Sequence, residues 1–282
     1  MTIAVIGSGA IGLLLASYLA EDHLVQLYTR RRESANALRD GVIRYDAAQT
    51  AKAIKQVDGY VLSKVDRIEA SLCIVTTKAY SIPSVIDELS SKLPKDTPVL
   101  FVQNGMAHVE IAEESFANSI LATTTHGARK ISENEVIHTG IGELTVEYPL
   151  QLTVPDDLHI SVDPEIKKAL EKKLLVNAVV NPLTTLYEVK NGDLRLFHHE
   201  EVKEIADELS AFLSIQDGTS FVDLVLNKTA ANHSSMLVDY AASRKTEFDA
   251  ILGYLKKRAD REGVQLPAFM HMFDRVKRKL GE

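Results

Sequence analysis

The stretch TIAVIGSGAIGLLLASYLAE, Thr2 to Glu21, decides the fold class. A β-branched run leads directly into G-x-G-x-x-G at Gly7, Gly9 and Gly12, and the motif opens a helix. In a strand–turn–helix unit each glycine has a task. Gly7 takes the tight turn, Gly9 lets backbone amides approach a pyrophosphate, and Gly12 lets helix pack closely on strand, with the anion at the helix N-terminus. The whole run Gly7, Ser8, Gly9, Ala10, Ile11 and Gly12 is therefore the expected cradle of a dinucleotide. The stretch is apolar enough to be mistaken for a secretory leader, but no Lys or Arg precedes Arg30 and glycines interrupt it, so it reads as a folded element.

A dinucleotide fold that takes NAD places an acidic residue about twenty positions further on, after the second strand, against the adenosine ribose. Here that strand ends LYTRRR, with Arg30, Arg31 and Arg32. A carboxylate would repel a 2′-phosphate, whereas Arg30 with Arg31 or Arg32 can pair with it, so the expected cofactor is NADP. Three solvated arginines on a loop is the competing reading. Their place at the C-terminal end of a strand favours the cofactor.

Short apolar runs alternate with helix-like segments through the first half: TIAVIG, LVQLYT, LCIVTT, PVLFVQ and SILATTT are strand candidates. That alternation predicts a parallel sheet with covering helices. GVIRYD and GYVLSKV add possible strands in a less regular region, and VIHTG with GELTVEYPL reads as a terminal hairpin or as edge strands. Prolines 149, 155 and 164 then punctuate a polar stretch, after which helical periodicity takes over. The fold class is α/β: an N-terminal Rossmann-like domain, 1–163, followed by an all-α domain, 164–282. Helices are expected at 165–189, 199–214, 219–228, 233–260 and 267–280, with Asn181-Pro182 ending or kinking the first.

Composition narrows the function. A net charge of −7 and short basic clusters argue against nucleic-acid binding. Cys73 is the only cysteine and lies in an apolar run, which fits a reducing compartment and leaves no cysteine-rich metal site. No apolar segment is long enough to span a membrane, so a soluble cytoplasmic protein is expected. Adjacent histidines in FHHEEVKE point about 100° apart on a helix and read as a solvated face.

Polar residues at strand ends mark the ligand side of an open α/β sheet, which singles out Lys78 in VTTKAYS and Asn104 in FVQNGMA. Gly105 permits a sharp turn after Asn104. Lys78 taken alone reads equally as a solvated charge. In the second half, KKLLVNAVVNP carries Lys173, Asn177 and Asn181 at i, i+4 and i+8 among aliphatic residues. Amides beside one cation in an apolar helix suit the wall of a cleft; a hydrogen-bonded helix seam with a snorkelling lysine is the alternative.

With these residues in view, the chain resembles the ketopantoate reductase (2-dehydropantoate 2-reductase) family from Gly7 to about Lys279. The resemblance is carried by GSGAIG, TTKAY, QNGM, TTTHGA, KKLLVNAVVNPLT, NGDLR, SSMLVDY and RKTEFDAILGYL in that order. It implies an NADPH-dependent enzyme that reduces 2-dehydropantoate to pantoate for coenzyme A synthesis, acting on a small molecule as a monomer or homodimer. It further implies catalytic roles for Lys173 and Glu247 and substrate contacts from Asn104, Asn177, Asn181, Asn232, Ser235 and Glu247. Asn104 and Lys78 would also touch cofactor, and the Lys173 stripe would face the cleft between domains. Without the resemblance, Ser235 and Glu247 read as a helix N-terminal serine and a surface acid. Ser81 stands where the family often has glutamine, and His126 reads as structural. The rivals are another NADP-linked 2-oxoacid or 3-hydroxyacid dehydrogenase on the same plan, and a non-catalytic NADP sensor, which would have no need of Lys173 or Glu247.

Overall fold

The computed structural model describes residues 1–281 and divides into two compact units. The first comprises Met1–Gln103 and His108–Lys167; the second comprises Asn104–Ala107 and the chain from Lys168 onward.

In chain order the first unit contains β1 (Thr2–Ile6), α1 (Ala10–Leu19), β2 (Leu24–Thr29), α2 (Arg32–Ala37), β3 (Val42–Tyr45), β4 (Ala51–Ile54) and β5 (Val57–Val61). It continues with β6 (Leu72–Val75), α3 (Ile82–Lys92), β7 (Val99–Phe101), α4 (Val109–Ser115), β8 (Ser119–Thr124), β9 (Gly127–Lys130), β10 (Glu135–Gly140), β11 (Leu144–Val146) and β12 (Ile160–Val162). The main sheet runs β12-β11-β8-β7-β6-β1-β2-β5. Every pair in it is parallel except β8 with β11. β1 and β6 are covered on both faces, which is why their sequences are continuously apolar rather than alternating. One core gathers Leu13, Leu14, Leu27 and Leu100; the other gathers Ile82, Leu89, Val99 and Phe101. The chain moves outward from β1 to β2 and then crosses to β6, so the strand order reverses at β1. That reversal opens a crevice at the carboxyl ends of β1 and β6.

The possible strands in GVIRYD and GYVLSKV form as β3 and β5. The reading of VIHTG with GELTVEYPL as one hairpin or as edge strands does not hold. β10 is an interior strand of a second sheet, ordered β4-β3-β10-β9, whereas β11 joins the main sheet beside β8. The small sheet packs on α1 through Val42, Ile54 and Val136, which share a core with Leu13 and Leu14, and polar contacts add to this: Tyr18 Oη lies 2.8 Å from His138 Nδ1, and the Arg44 guanidinium sits 3.5 Å over the Tyr18 ring. Arg44 also donates to Glu21 at 2.8 Å, and Lys52 pairs with the same carboxylate. His126 Nδ1 extends the chain, 3.1 Å from His138 Nε2.

The helices of the second half are α5 (Ile166–Tyr187), α6 (Asn191–Phe197), α7 (His199–Phe212), α8 (Gly218–Lys228), α9 (Ser235–Ala241), α10 (Tyr254–Glu262) and α11 (Pro267–Leu280). The helix expected at 165–189 forms as α5, which runs through Asn181-Pro182 to Tyr187, with Thr184 and Thr185 hydroxyls donating to the carbonyls of Val180 and Asn181. Two expectations are corrected. A helix from 233 to 260 is instead two: α9 closes in a Schellman turn, with Ser243 at φ 52°, its amide on Tyr240 O and the Arg244 amide on Asp239 O. The chain then enters a π-helical turn, Asp249–Gly253, before α10. FHHEEVKE is only partly a solvated face, because His198 stacks on Tyr187 with ring centroids 3.7 Å apart. α6 has no counterpart in the sequence reading.

Candidate active site

In the first unit the glycine turn is built by close packing. Gly7 adopts φ +110°, and its amide donates to Tyr28 O at 2.8 Å, tying the turn to β2. A Cβ on Gly12 would lie 1.9 Å from Gly7 O and 2.5 Å from Thr76 Oγ1, so only glycine lets α1 approach the strand ends. The Thr76 hydroxyl lies 3.1 Å from Ile6 O and 3.0 Å from Gly7 O, and Gln103 Nε2 donates to Val75 O at 2.7 Å. These two side chains, which the motif does not announce, lace the ends of β1, β6 and β7 together.

Gly9 differs from its neighbours. No protein atom lies within 4 Å of a Cβ built there, so the interior does not require glycine at this position. Gly9 caps α1 without a side-chain hydrogen bond, and the first turn carries no acid. Unclaimed amides beneath open space fit a dinucleotide pyrophosphate, which a side chain at Gly9 would displace. Ser8, Ala10 and Ile11 complete the turn, each partly exposed.

Arg30 follows β2 and is exposed. Arg31 is engaged by Glu133 at 2.5 Å. Burial pushes the Glu133 carboxyl up, but hydrogen bonds from Lys130 and Ser34 and the charges of Lys130 and Arg31 outweigh it and hold the group down to about 2. Lys78 follows β6 at the start of a short 3-10 turn, Ala79–Ser81.

In the second unit, α5 presents Lys173, Asn177 and Asn181 along one face, with Lys173 and Asn177 half-buried and Asn181 buried, whereas Lys172 is exposed. Burial pulls the Lys173 ammonium down to about 8, and the Glu247 carboxylate opposes that shift. Glu247 is buried and accepts from Asn104 Nδ2 at 3.3 Å. Asn104 reaches it from the turn Asn104–Ala107, where Gly105 has φ +80° and a Cβ would meet Ala250 O at 2.6 Å. The turn is thereby seated on the π-helical segment that follows Glu247. Asn181 is 5% exposed and its Nδ2 has no protein partner, a costly arrangement unless a ligand completes it.

Ser235 and Asn232 are exposed near the start of α9. The cap is Ser234, whose Oγ accepts from the Leu237 amide at 3.2 Å and lies 2.7 Å from Thr184 Oγ1, so Ser235 is not the capping serine. The Asn191 amide donates to Asn232 O at 3.0 Å, fixing that loop. Asn191 is buried with its Oδ1 unpartnered, a feature shared with Asn181; its place in NGDLR was the available signal in the sequence. The structure brings Lys173, Glu247 and Asn104 into one polar group in this unit; in the first unit the glycine turn and Arg30 follow the adjacent paired strands β1 and β2.

The family model of ketopantoate reductase PanE/ApbA matches residues 3–150, and that of its C-terminal domain matches 165–279. The chain belongs to the ketopantoate reductase family. It is 32% identical over 303 aligned residues to the 2-dehydropantoate 2-reductase of Shigella flexneri, covering 100% of this chain and 96% of the relative. The crystal structure of a probable 2-dehydropantoate 2-reductase from Bacillus subtilis superposes with a TM-score of 0.84 at 30% identity, covering 99% of both chains. At 21% identity, a ternary structure of D-mandelate dehydrogenase with NADH and anilino(oxo)acetate shares the fold, with a TM-score of 0.88 over 100% of this chain and 98% of that one. Among the described residues no helix is long and apolar enough to cross a membrane, and no group of three or more His, Cys, Asp or Glu could hold a metal ion.

Proposed function

We propose that this ketopantoate reductase family member reduces 2-dehydropantoate to pantoate with NADPH, and that Lys173 is the general acid. The observation that carries the reading is a half-buried lysine with its pKa pulled down to about 8, beside a buried carboxylate, on a helix face otherwise lined by asparagines. An acid poised near neutrality is suited to donate a proton in a transition state.

When bound, NADPH supplies a hydride to the carbonyl carbon of the substrate. Negative charge then develops on the carbonyl oxygen, and Lys173 Nζ delivers the proton that neutralises it. Asn104 and Asn177 offer neutral amide donors to the same oxygen. Glu247 holds Lys173 charged before the transfer and accepts from the substrate hydroxyl. Ser235 donates to the substrate carboxylate, and Asn181 and Asn232 complete the polar lining. At the cofactor end, the turn from Gly7 to Gly12 binds the pyrophosphate, Arg30 pairs with the 2′-phosphate, and Lys78 and Asn104 add polar contacts. On this reading 1–163 forms the cofactor-binding domain and 164–282 the catalytic one, in a cytoplasmic monomer or homodimer.

The test is NADPH oxidation by purified protein against a panel of 2-oxoacids that includes 2-dehydropantoate. Turnover with 2-dehydropantoate above the rest of the panel is expected. Turnover confined to another 2-oxoacid would overturn the substrate while leaving the proton donor in place. No turnover with any member would overturn the enzymatic reading in favour of a cofactor-binding sensor.

A further inference from the structure

The turn between β9 and β10 belongs to the small sheet, and neither the glycine motif nor the arginine run points to it. Its Glu133 nevertheless reaches the end of β2. Oε1 accepts from Arg31 Nη2 at 2.5 Å, while Oε2 accepts from Ser34 Oγ at 2.5 Å and from Lys130 Nζ at 2.8 Å. Lys130 also donates to Ser8 O in the glycine turn at 3.0 Å. The carboxylate is thus anchored to both loops that flank the adenosine ribose in a dinucleotide fold.

In NAD-binding sheets a carboxylate that follows the second strand reads the ribose 2′-hydroxyl. This chain has Arg30 and Arg31 there and brings an acid to the same place from a different sheet. We propose that Glu133 narrows the discrimination between NADPH and NADH: it occupies Arg31 and Ser34 and sets an anion beside the ribose 2′ position. The inference rests on the dinucleotide reading of the glycine turn given above. A 2′-phosphate arriving there meets a like charge and finds two of its natural donors engaged, leaving Arg30 and Arg32 of the arginine run to pair with it. A 2′-hydroxyl instead meets an acceptor. The preference for NADPH is therefore weaker than three consecutive arginines imply.

The experiment is titration of the purified full chain with NADPH and with NADH, read by nucleotide fluorescence, for the parent, Glu133→Gln, Arg31→Ala and the double variant. Glu133→Gln keeps the shape and removes the charge, and the side chain is 31% exposed, so the fold is expected to persist. It should raise the affinity ratio of NADPH to NADH by about tenfold, the scale of a charged hydrogen bond gained. Arg31→Ala should change the ratio little in the parent but remove most of the gain in the Glu133→Gln background. A ratio in Glu133→Gln that is unchanged would overturn the inference alone, and one moved toward NADH would overturn it by showing that Glu133 braces Arg31 for the phosphate. A parent chain that binds neither nucleotide would overturn the dinucleotide reading and this inference with it.

Discussion

Asn104 and Glu247 lie 143 positions apart in sequence, yet the Asn104 amide donates to the Glu247 carboxylate at 3.3 Å. The Asn104–Ala107 turn leaves the first unit and packs with the second, where Gly105 sits against the Ala250 carbonyl. Asn104 thereby occupies one oxygen of the carboxylate that also sets the charge of Lys173.

Lys173 and Lys172 form an internal control. General acid catalysis contributes roughly a hundredfold to ten-thousandfold, so Lys173→Ala should lower kcat by that order with NADPH binding retained. Lys172, exposed about 100° around α5 from Lys173, should tolerate the same change. Because the acid form is the active one, kcat for reduction should fall as pH rises through about 8, and that limb should vanish in Lys173→Ala. A parent profile flat to pH 10 would remove Lys173 from the mechanism.

The glycines of the motif should separate folding from binding. Gly12→Ala places a Cβ 1.9 Å from Gly7 O and should lower Tm sharply or prevent folding. Gly9→Ala meets no protein atom within 4 Å, so Tm should stay near the parent value while NADPH affinity drops. Thermal melts and nucleotide titration on both variants check this, and unchanged affinity in Gly9→Ala would contradict the cradle.

Adjacent serines should likewise divide. Ser234→Ala removes a helix cap and the Thr184 partner and should cost about 1 kcal/mol of stability, seen as a lower Tm. Ser235→Ala, exposed at the first turn of α9, should raise KM for the 2-oxoacid and leave Tm and NADPH affinity nearly unchanged. A Tm loss at Ser235 with parent kinetics would assign it to folding instead.

Acid stability should report on His108. Burial pulls its pKa down to about 4, and neither ring nitrogen has a protein partner. The unfolded chain therefore binds a proton that the folded chain refuses between about pH 6.5 and pH 4, and stability falls as pH is lowered through that window. His108→Leu should flatten this part of the Tm–pH curve without loss at pH 7. His126, also pulled down to about 4 by burial, keeps a residual slope in the variant.

The strand–glycine turn–helix unit, the α/β class, the main-sheet strands β1, β2, β6, β7 and β8, and the register of α5 were legible in the sequence alone. These are local patterns: the glycine spacing, the apolar runs of strands covered on both faces, and the 3.6-residue period that sets Lys173 inward and Lys172 outward. Pairing was not legible, because strand partners are chosen by whole-sheet packing. VIHTG and GELTVEYPL therefore looked like neighbours although β10 and β11 belong to different sheets. The break after α9 was hidden as well, since Ser243 takes a left-handed conformation that no glycine announced. Only the tertiary structure brought Glu133 to Arg31 and Asn104 to Glu247, because hydrogen bonds between residues more than a hundred positions apart are made by the path of the chain and leave no periodic trace in it.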